Sequence, residues 1–456
     1  MEHQIREILS ENLAFEDKIT EKLLAKFCRN SIILQNLETI AEAKKKIMKE
    51  AVIYSDKEDF RDAHFRLNNG HSKQFYEFKF DLSPFPNIRI NSIKNLEEAG
   101  LVFENNTIKG TPFESNTYDL EIEFFHTHDF DKFETKKIQL FVNADPKDLW
   151  KNIPSPQDAL FYKPEEGSFK SNFLDKKIVI ASKRGRSHAH EGTFRDDDFA
   201  VNQLPFSWNI LSMSDGAGSA KFARLGSQLA TQTINNFFEK EEILNEIEIN
   251  IQSIYNSNSL DKTNEITGKQ NIIRILYEGV LSVYNTLKTT AEEQSFSIKD
   301  LHNTLIFTLT KKFGFGYVIL SFGVGDCPIN LINKDFSKVE LLNTMDVGEF
   351  GGGTRFITMK EIYNDSISSR FGIQCVDDFS HLILMTDGIY DPKFMTENKL
   401  ENLDAWKVFF SDLSGKNDDS AMVDFKNDQS IDQQLLQWID FWSKGNHDDR
   451  TLAIIY

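Results

Sequence analysis

Four short segments each end an apolar run on aspartate. FRDDDFAV contributes Asp196 and Asp197, ILSMSDGAGSA contributes Asp215 and Gly216, HLILMTDGIYD contributes Asp387 and Gly388, and NHDDRTLAII contributes Asp448 and Asp449. A strand fixes the residue at its end, and glycine lets backbone and ligand approach closely. A single Asp-Gly pair is ordinarily a turn. Several carboxylates held together are different, because they repel one another unless cations lie between them. Hard oxygen donors select Mg²⁺ or Mn²⁺ over Zn²⁺ or copper. The three cysteines, Cys28, Cys327 and Cys375, are too scattered for a zinc knuckle or a disulfide framework.

The elements around these segments predict how they are positioned. KKIVIAS, DDFAVN and WNILSMSDG alternate apolar and polar residues as strands do. Two long helical stretches follow, ARLGSQLATQTINNFFEK and KQNIIRILYEGVLSVYNTLKTTAEEQ, and then the strands NTLIFTLTKK, GYVILSFGVGD, PINLINK, HLILMTDGI and TLAIIY. Strands, helices, then more strands predict a layered α+β domain over 172–456. Upstream, residues 1–55 carry apolar residues at helical spacing (Ile5, Ile8, Leu9 and Leu13, then Ile19, Leu23, Leu24 and Phe27) and predict two or three short amphipathic helices. Residues 60–145 switch to period two in FYEFKFDL, TYDLEIEFF and KKIQLFVN. Four of the chain's ten prolines fall in 146–171, which predicts a linker there, and its apolar content predicts that it lies along a domain and does not hang free.

The 456 residues allow two or three domains. A net charge of -18 repels nucleic acid and anionic lipid, so neither is an expected partner. No run approaches the ~20 apolar residues of a membrane span, and MEHQIREILSENL lacks the apolar core of a signal peptide. A cytoplasmic location is the expectation.

The segments DDDFAV, SDGAGSA, NTLIFTL, GVGDCPI, LMTDGIYD and HDDRTLAIIY stand in the order of the PPM, or type 2C, metal-dependent protein phosphatases, and 172–456 resembles their bacterial form. ASKRGRSHAHEGTFRDDDFAV is similar to a bacterial subgroup with Ser-x-x-Gly-x-Ser-His ahead of the acidic pair. The resemblance implies a sandwich of two antiparallel sheets flanked by helices, with two or three Mn²⁺ or Mg²⁺ ions. It implies that Asp215 bridges two metals with the Gly216 carbonyl beside it, that Asp196 serves the second metal, and that Asp387 and Asp448 ligate the other. Asp197 and Asp449 would hold metal-bound waters, and a bridging water would attack phosphorus. Separately, GLVFENNTIKGTPFESNTYDLEIEF resembles bacterial immunoglobulin-like modules through Gly100, Leu101, Phe103, Ile108, Gly110, Thr111, Pro112, Tyr118, Leu120 and Ile122. That implies a small β-sandwich without chemistry of its own.

Two positions depart from the animal pattern. The phosphate-clamping Arg is replaced by Gly192, leaving Arg184, Arg186 and Arg195 nearby, of which Arg186 is the expected clamp because Gly185 frees its backbone. The His after the first Asp-Gly is replaced by Ala217, so His188 is a candidate proton donor, with a structural cap as its other reading. Asp326 is expected to organise a turn, His302 to be a satisfied core histidine, Cys327 to be buried, and GEFGGGTRF (348–356) to form a loop near the site.

The expected function is dephosphorylation of phosphoserine or phosphothreonine proteins. The expected partner is a Ser/Thr kinase or its target, and the N-terminal segments could hold a protein partner. A phosphoprotein-binding pseudophosphatase scaffold and a phosphatase of a small phosphorylated metabolite are the alternatives.

Overall fold

The computed structural model describes residues 1–11, 18–255, 262–346 and 353–456. The chain divides into two compact units, Met1–Leu149 and Trp150–Tyr456.

In the first unit, the helices Glu2–Ser10 and Glu21–Phe27 precede one helix of 32 residues, Ser31–Asp62. Short helices were expected here, and Leu13 lies outside the described residues. The long helix runs on because Ser31–Asp62 contains neither Gly nor Pro, while the Asn30 side chain accepts from the Ile32 amide at 3.0 Å and caps its start. Its last turns bury Ile53, Lys57 and Phe60 on one face. There Lys57 pairs with Asp129 at 2.9 Å, and the Phe60 and Phe124 rings lie 4.5 Å apart. A four-stranded sheet (Gly70–His71, Asp129–Asn143, Asn116–His126, Ile88–Lys94) and a three-stranded one (Tyr76–Lys79, Thr107–Gly110, Leu101–Glu104) share this core.

The second unit has four layers. One antiparallel sheet orders Asp198–Gln203, Asn209–Ser214, Leu305–Phe313, Gly316–Val324 and Phe371–Val376. The other orders Val339–Leu341, Ile329–Asn333, Phe379–Met385, Arg450–Ile455, Lys176–Lys183 and Glu166–Phe173. Their inner faces meet in one core. Ile178 and Ile180 point into it, while the alternate residues Val179 and Ala181 face the outer helices. A strand buried on both faces reads as a continuous apolar run, as KKIVIAS does. The helices Ala223–Phe237, Glu241–Tyr255 and Lys262–Glu293 cover the first sheet, and Asp387–Phe394, Leu403–Leu413 and Ile431–Trp438 cover the second. This is the helix-flanked double sheet that the resemblance implied.

Residues 150–171, expected as linker, belong to this second unit. Glu166–Phe173 is an edge strand paired with Lys176–Lys183. The buried Arg184 guanidinium donates to Asn152 Oδ1, the Ile153 carbonyl and Ser155 Oγ at 2.7–3.0 Å. Prolines mark irregular chain, and here that chain is tied down by hydrogen bonds to a buried cation. No helix among the described residues is long and apolar enough to cross a membrane.

Leu384 is fully buried between the sheets. Leu384→Ala should lower stability by about 2–5 kcal/mol. Urea unfolding followed by tryptophan fluorescence will measure it, since all five tryptophans lie in 150–456 and report that unit alone.

Candidate metal centre

The carboxylates come together at one end of the double sheet. Asp215 follows the strand Asn209–Ser214, Asp387 follows Phe379–Met385 and opens a helix, Asp448 precedes Arg450–Ile455, and Asp326 follows Gly316–Val324. All four line one pocket of about 170 Å³, with Gly216, Thr304, Thr354 and Phe356. The backbone there is locked. The Asp215 amide donates to Thr304 Oγ1 at 2.9 Å, and the Thr304 amide donates back to the Asp215 carbonyl at 2.8 Å. Glycine makes the crowding possible: a Cβ on Gly388 would lie 1.9 Å from the Asp449 carbonyl oxygen, and one on Gly185 would lie 2.3 Å from the Asp448 carbonyl carbon.

This arrangement is electrostatically uncomfortable. Burial, then Asp387, Asp197, Asp448 and Asp326, push the Asp215 carboxyl well above the usual range. Burial, then Asp448 and Asp326, do the same to Asp387. Asp448 and Asp326 are also raised, chiefly by burial. The Asp387 and Asp326 Oδ1 atoms are buried without a hydrogen-bond partner. Orphaned carboxylate oxygens converging on one pocket fit divalent cations with oxygen ligands. Cys327 Sγ lies within 4.8 Å of ligand atoms of Asp215 and Asp326. Burial pushes that thiol well up, so it stands as a neutral thiol and the donor set stays hard.

Asp326 was expected to shape a turn, in a segment that the family resemblance puts near the metals. It is a wall of the pocket, its Oδ2 accepting from Thr354 Oγ1 at 2.8 Å. The signal for this lay in the family motif that GVGDCPI matches and not in local periodicity, since the other carboxylates reach Asp326 only through the sheet. Residues 348–352 of the expected Gly-rich loop lie outside the described residues, whereas Thr354 and Phe356 line the pocket. His302 stacks on Phe356 with ring centroids 5.0 Å apart and meets Thr358 Oγ1, so it is satisfied, as expected.

Asp449, expected to face the metals, does not line the pocket. Its oxygens accept from the amides of Gly185 (2.6 Å), Asp196 and Asp197 (3.4 Å), and meet His188 Nδ1 at 3.1 Å. Four partners fill about the four lone-pair sites of a carboxylate. Burial would raise this group, but His188 and the amides hold it below the usual range. These bonds position the backbone of the acidic pair, and Asp449 also forms with His188 and Asp448 a group that could hold a metal ion. Its ligand atom lies within 4.8 Å of those of Asp448 and His188.

The acidic pair also lies behind the pocket. Asp197 is fully buried, its Oδ2 accepting from Thr386 Oγ1 (2.8 Å) and Thr451 Oγ1 (2.6 Å). Asp196 packs against Gly216, and burial together with Asp449 pushes it up to about 7. Lys163, unremarked within the proline-rich stretch, supports both. It is buried, donates to the Asp197 carbonyl at 2.6 Å and pairs with Asp198 at 3.2 Å, and desolvation pushes it down to about 8.

Arg186, the expected phosphate clamp, pairs here with Asp440. Arg186 Nη2 donates to the Asp440 carbonyl at 2.8 Å and to its carboxylate at 3.2 Å, and the guanidinium lies 5.5 Å from the Trp442 ring centroid. It lines a separate cavity of about 570 Å³. Arg184 and Arg195 are buried in hydrogen bonds to neighbouring loops and strands. The absence of Arg at 192 has a local reason: Gly192, at φ 73°, ends the helix Arg186–Glu191 in the left-handed conformation that glycine adopts freely. Ala217, the second departure, donates its amide to the His302 carbonyl at 3.0 Å. His188 is half-buried. Burial would lower its pKa, but Asp449, Asp196 and Asp448 overcome this and hold it near about 10.

The sequence profile of protein phosphatase 2C matches residues 184–439. Among solved structures, a point mutant of a bacterial serine phosphatase is 16% identical, with a TM-score of 0.38 over 63% of this chain and 99% of its own. Serine/threonine phosphatase Stp1 from Staphylococcus aureus is 15% identical, with a TM-score of 0.35 over 62% of this chain and 95% of its own. The Mycobacterium tuberculosis serine/threonine phosphatase PstP/Ppp is 13% identical, with a TM-score of 0.33 over 61% and 97%. No curated protein matches the chain by sequence. The profile does not reach 1–149, and the immunoglobulin-like resemblance there rests on its own residues.

The raised carboxyls predict a pH dependence for the metal-free protein. Between the unfolded value of 3.8 and about 7, Asp196 keeps its proton in the folded state and loses it in the unfolded one, so stability falls as pH rises through that window. His188, raised to about 10, adds a fall above 6.5 of the same sign. In EDTA the melting temperature should therefore drop from pH 5 to pH 8. Added Mn²⁺ should flatten the slope and stabilise most at pH 8, as calorimetry will show.

Proposed function

Because the chain belongs to the protein phosphatase 2C family, we propose that residues 150–456 hydrolyse phosphoserine and phosphothreonine in proteins, with a Ser/Thr kinase or its target as the physiological partner. The supporting observation is the convergence of Asp215, Asp326, Asp387 and Asp448 on one pocket, with buried oxygens left unpartnered. Mn²⁺ or Mg²⁺ held there would polarise the phosphoryl oxygens and acidify water. The chain's own residues do the rest. Asp215 and Asp387 converge from opposite sheets, so that the phosphoryl group enters between two rigid strand ends. Asp449 fixes Gly185, His188 and the acidic pair relative to one another. His188, charged through Asp449, is the group we assign to protonate the leaving alkoxide. The N-terminal unit is the part we assign to holding a protein partner.

A scaffold that binds phosphoproteins without turnover has no use for four half-buried, mutually repelling carboxylates, which cost stability whenever cations are absent.

With Mn²⁺, the protein should hydrolyse para-nitrophenyl phosphate and a phosphothreonine peptide. An Asp215→Asn, Asp387→Asn double variant should lose more than about 100-fold, a loss that even residues supporting a metal's ligands produce. Peptide binding without metal-dependent turnover by the wild type would refute the reading. His188→Gln should lower kcat for the phosphothreonine peptide by about 100-fold. It should lower kcat for para-nitrophenyl phosphate far less, because nitrophenolate departs without a proton.

A further inference from the structure

A second cavity opens beside the carboxylate pocket, about 660 Å³ in volume, and the two share Asp448. Its walls are mixed: Trp150, Pro392 and Met395 give an apolar patch, and Ser187, Asp391, Lys444, Asn446, His447 and Asp448 give polar surface around it. The rings of Trp150 and His447 lie 4.3 Å apart, and Trp442 backs His447 at 5.0 Å. The His447 carbonyl accepts from the amide (3.1 Å) and hydroxyl (2.8 Å) of Ser187, so the wall is fixed to the helix that carries His188. Met395 is 70% exposed and holds a left-handed backbone at φ 64°, a conformation that costs free energy for a residue with a side chain. It caps the helix Asp387–Phe394, whose first residue is a wall of the carboxylate pocket. One short helix thus ties the pocket to the groove.

Resting on the phosphatase reading above, we propose that this groove seats an apolar side chain next to the phosphorylated residue of a polypeptide substrate. Size separates the two cavities. The carboxylate pocket is smaller than the ~300–1,000 Å³ of sites that enclose whole ligands, so it takes the phosphoryl group alone, while the groove falls in that range. Continuity through Asp448 places the substrate atoms beyond the phosphoryl group in the groove. Its charged residues are Asp391, Lys444 and the shared Asp448, so it carries no excess of positive charge, and the uncharged surface left for a side chain is chiefly that of Trp150, Pro392 and Met395. What the groove offers is therefore aromatic and thioether surface, which takes leucine, methionine or aromatic side chains.

The test uses two phosphothreonine peptides that differ only in Leu or Ser beside the phosphothreonine. The full-length protein with Mn²⁺ should prefer the Leu peptide by about tenfold in kcat/KM, through KM. Trp150→Ala and Met395→Glu should each erase that preference, while lowering turnover of para-nitrophenyl phosphate far less than that of the Leu peptide. Equal use of the two peptides by the wild type, or a preference intact in both variants, overturns the proposal. If the wild type turns over none of these substrates, the phosphatase reading falls by itself. Fluorescence anisotropy of the labelled Leu peptide then decides the groove: about tenfold weaker binding to Met395→Glu supports it, and equal binding overturns it.

Discussion

Repulsion among buried carboxylates is the constraint on which the rest of the second unit depends. Asp215, Asp326, Asp387 and Asp448 share a pocket of about 170 Å³, and each is pushed toward its protonated form. Left to themselves, such groups would swing apart or draw in water. They stay because each is borne by the end of a strand in one of two antiparallel sheets packed face to face, with helices over both outer faces. The double sheet supplies rigidity, and the stored repulsion becomes affinity for cations.

Behind the pocket lies a second set of interactions that hold backbone rather than ligands. Asp449 accepts from the loop of Gly185, from the acidic pair and from His188. Asp197 ties Thr386 and Thr451 together across neighbouring strands. Lys163 closes the set from a segment upstream of the family match at 184–439. The folding unit is thus larger than the conserved profile. The stretch from Trp150 on supplies partners for Arg184 and a buried cation beneath the acidic pair. The first unit keeps a core of its own, into which the long helix inserts Phe60.

The same region contains the two departures from the animal pattern, and the structure gives a local reason for the first. Gly192 is needed to end a helix, so the chain cannot place a guanidinium there. Arg186, the nearest expected substitute, is drawn away by Asp440 and the face of Trp442. The Ala217 amide instead closes a backbone contact to His302, beside the bridge between Gly216 and Asn303.

Period and local chemistry were readable from the sequence. Apolar runs ending in Asp-Gly specify strands with carboxylates at their tips, and Asp215 and Asp387 stand where those runs put them, while Asp448 stands just ahead of the run TLAII. The linker boundary was not readable, because proline content reports irregular backbone and not whether hydrogen bonds to a distant residue such as Arg184 hold it down. Which carboxylates line the pocket was decided only in three dimensions. Asp326 and Asp449 look alike in sequence. One joins the pocket because its strand pairs beside that of Asp215's neighbours, and the other turns away because four donors from separate segments saturate its oxygens. The sequence determined that acidic groups would stand at strand ends. The tertiary structure determined which of them line the pocket and which hold neighbouring backbone, because partners from remote segments are assigned only when the sheets close.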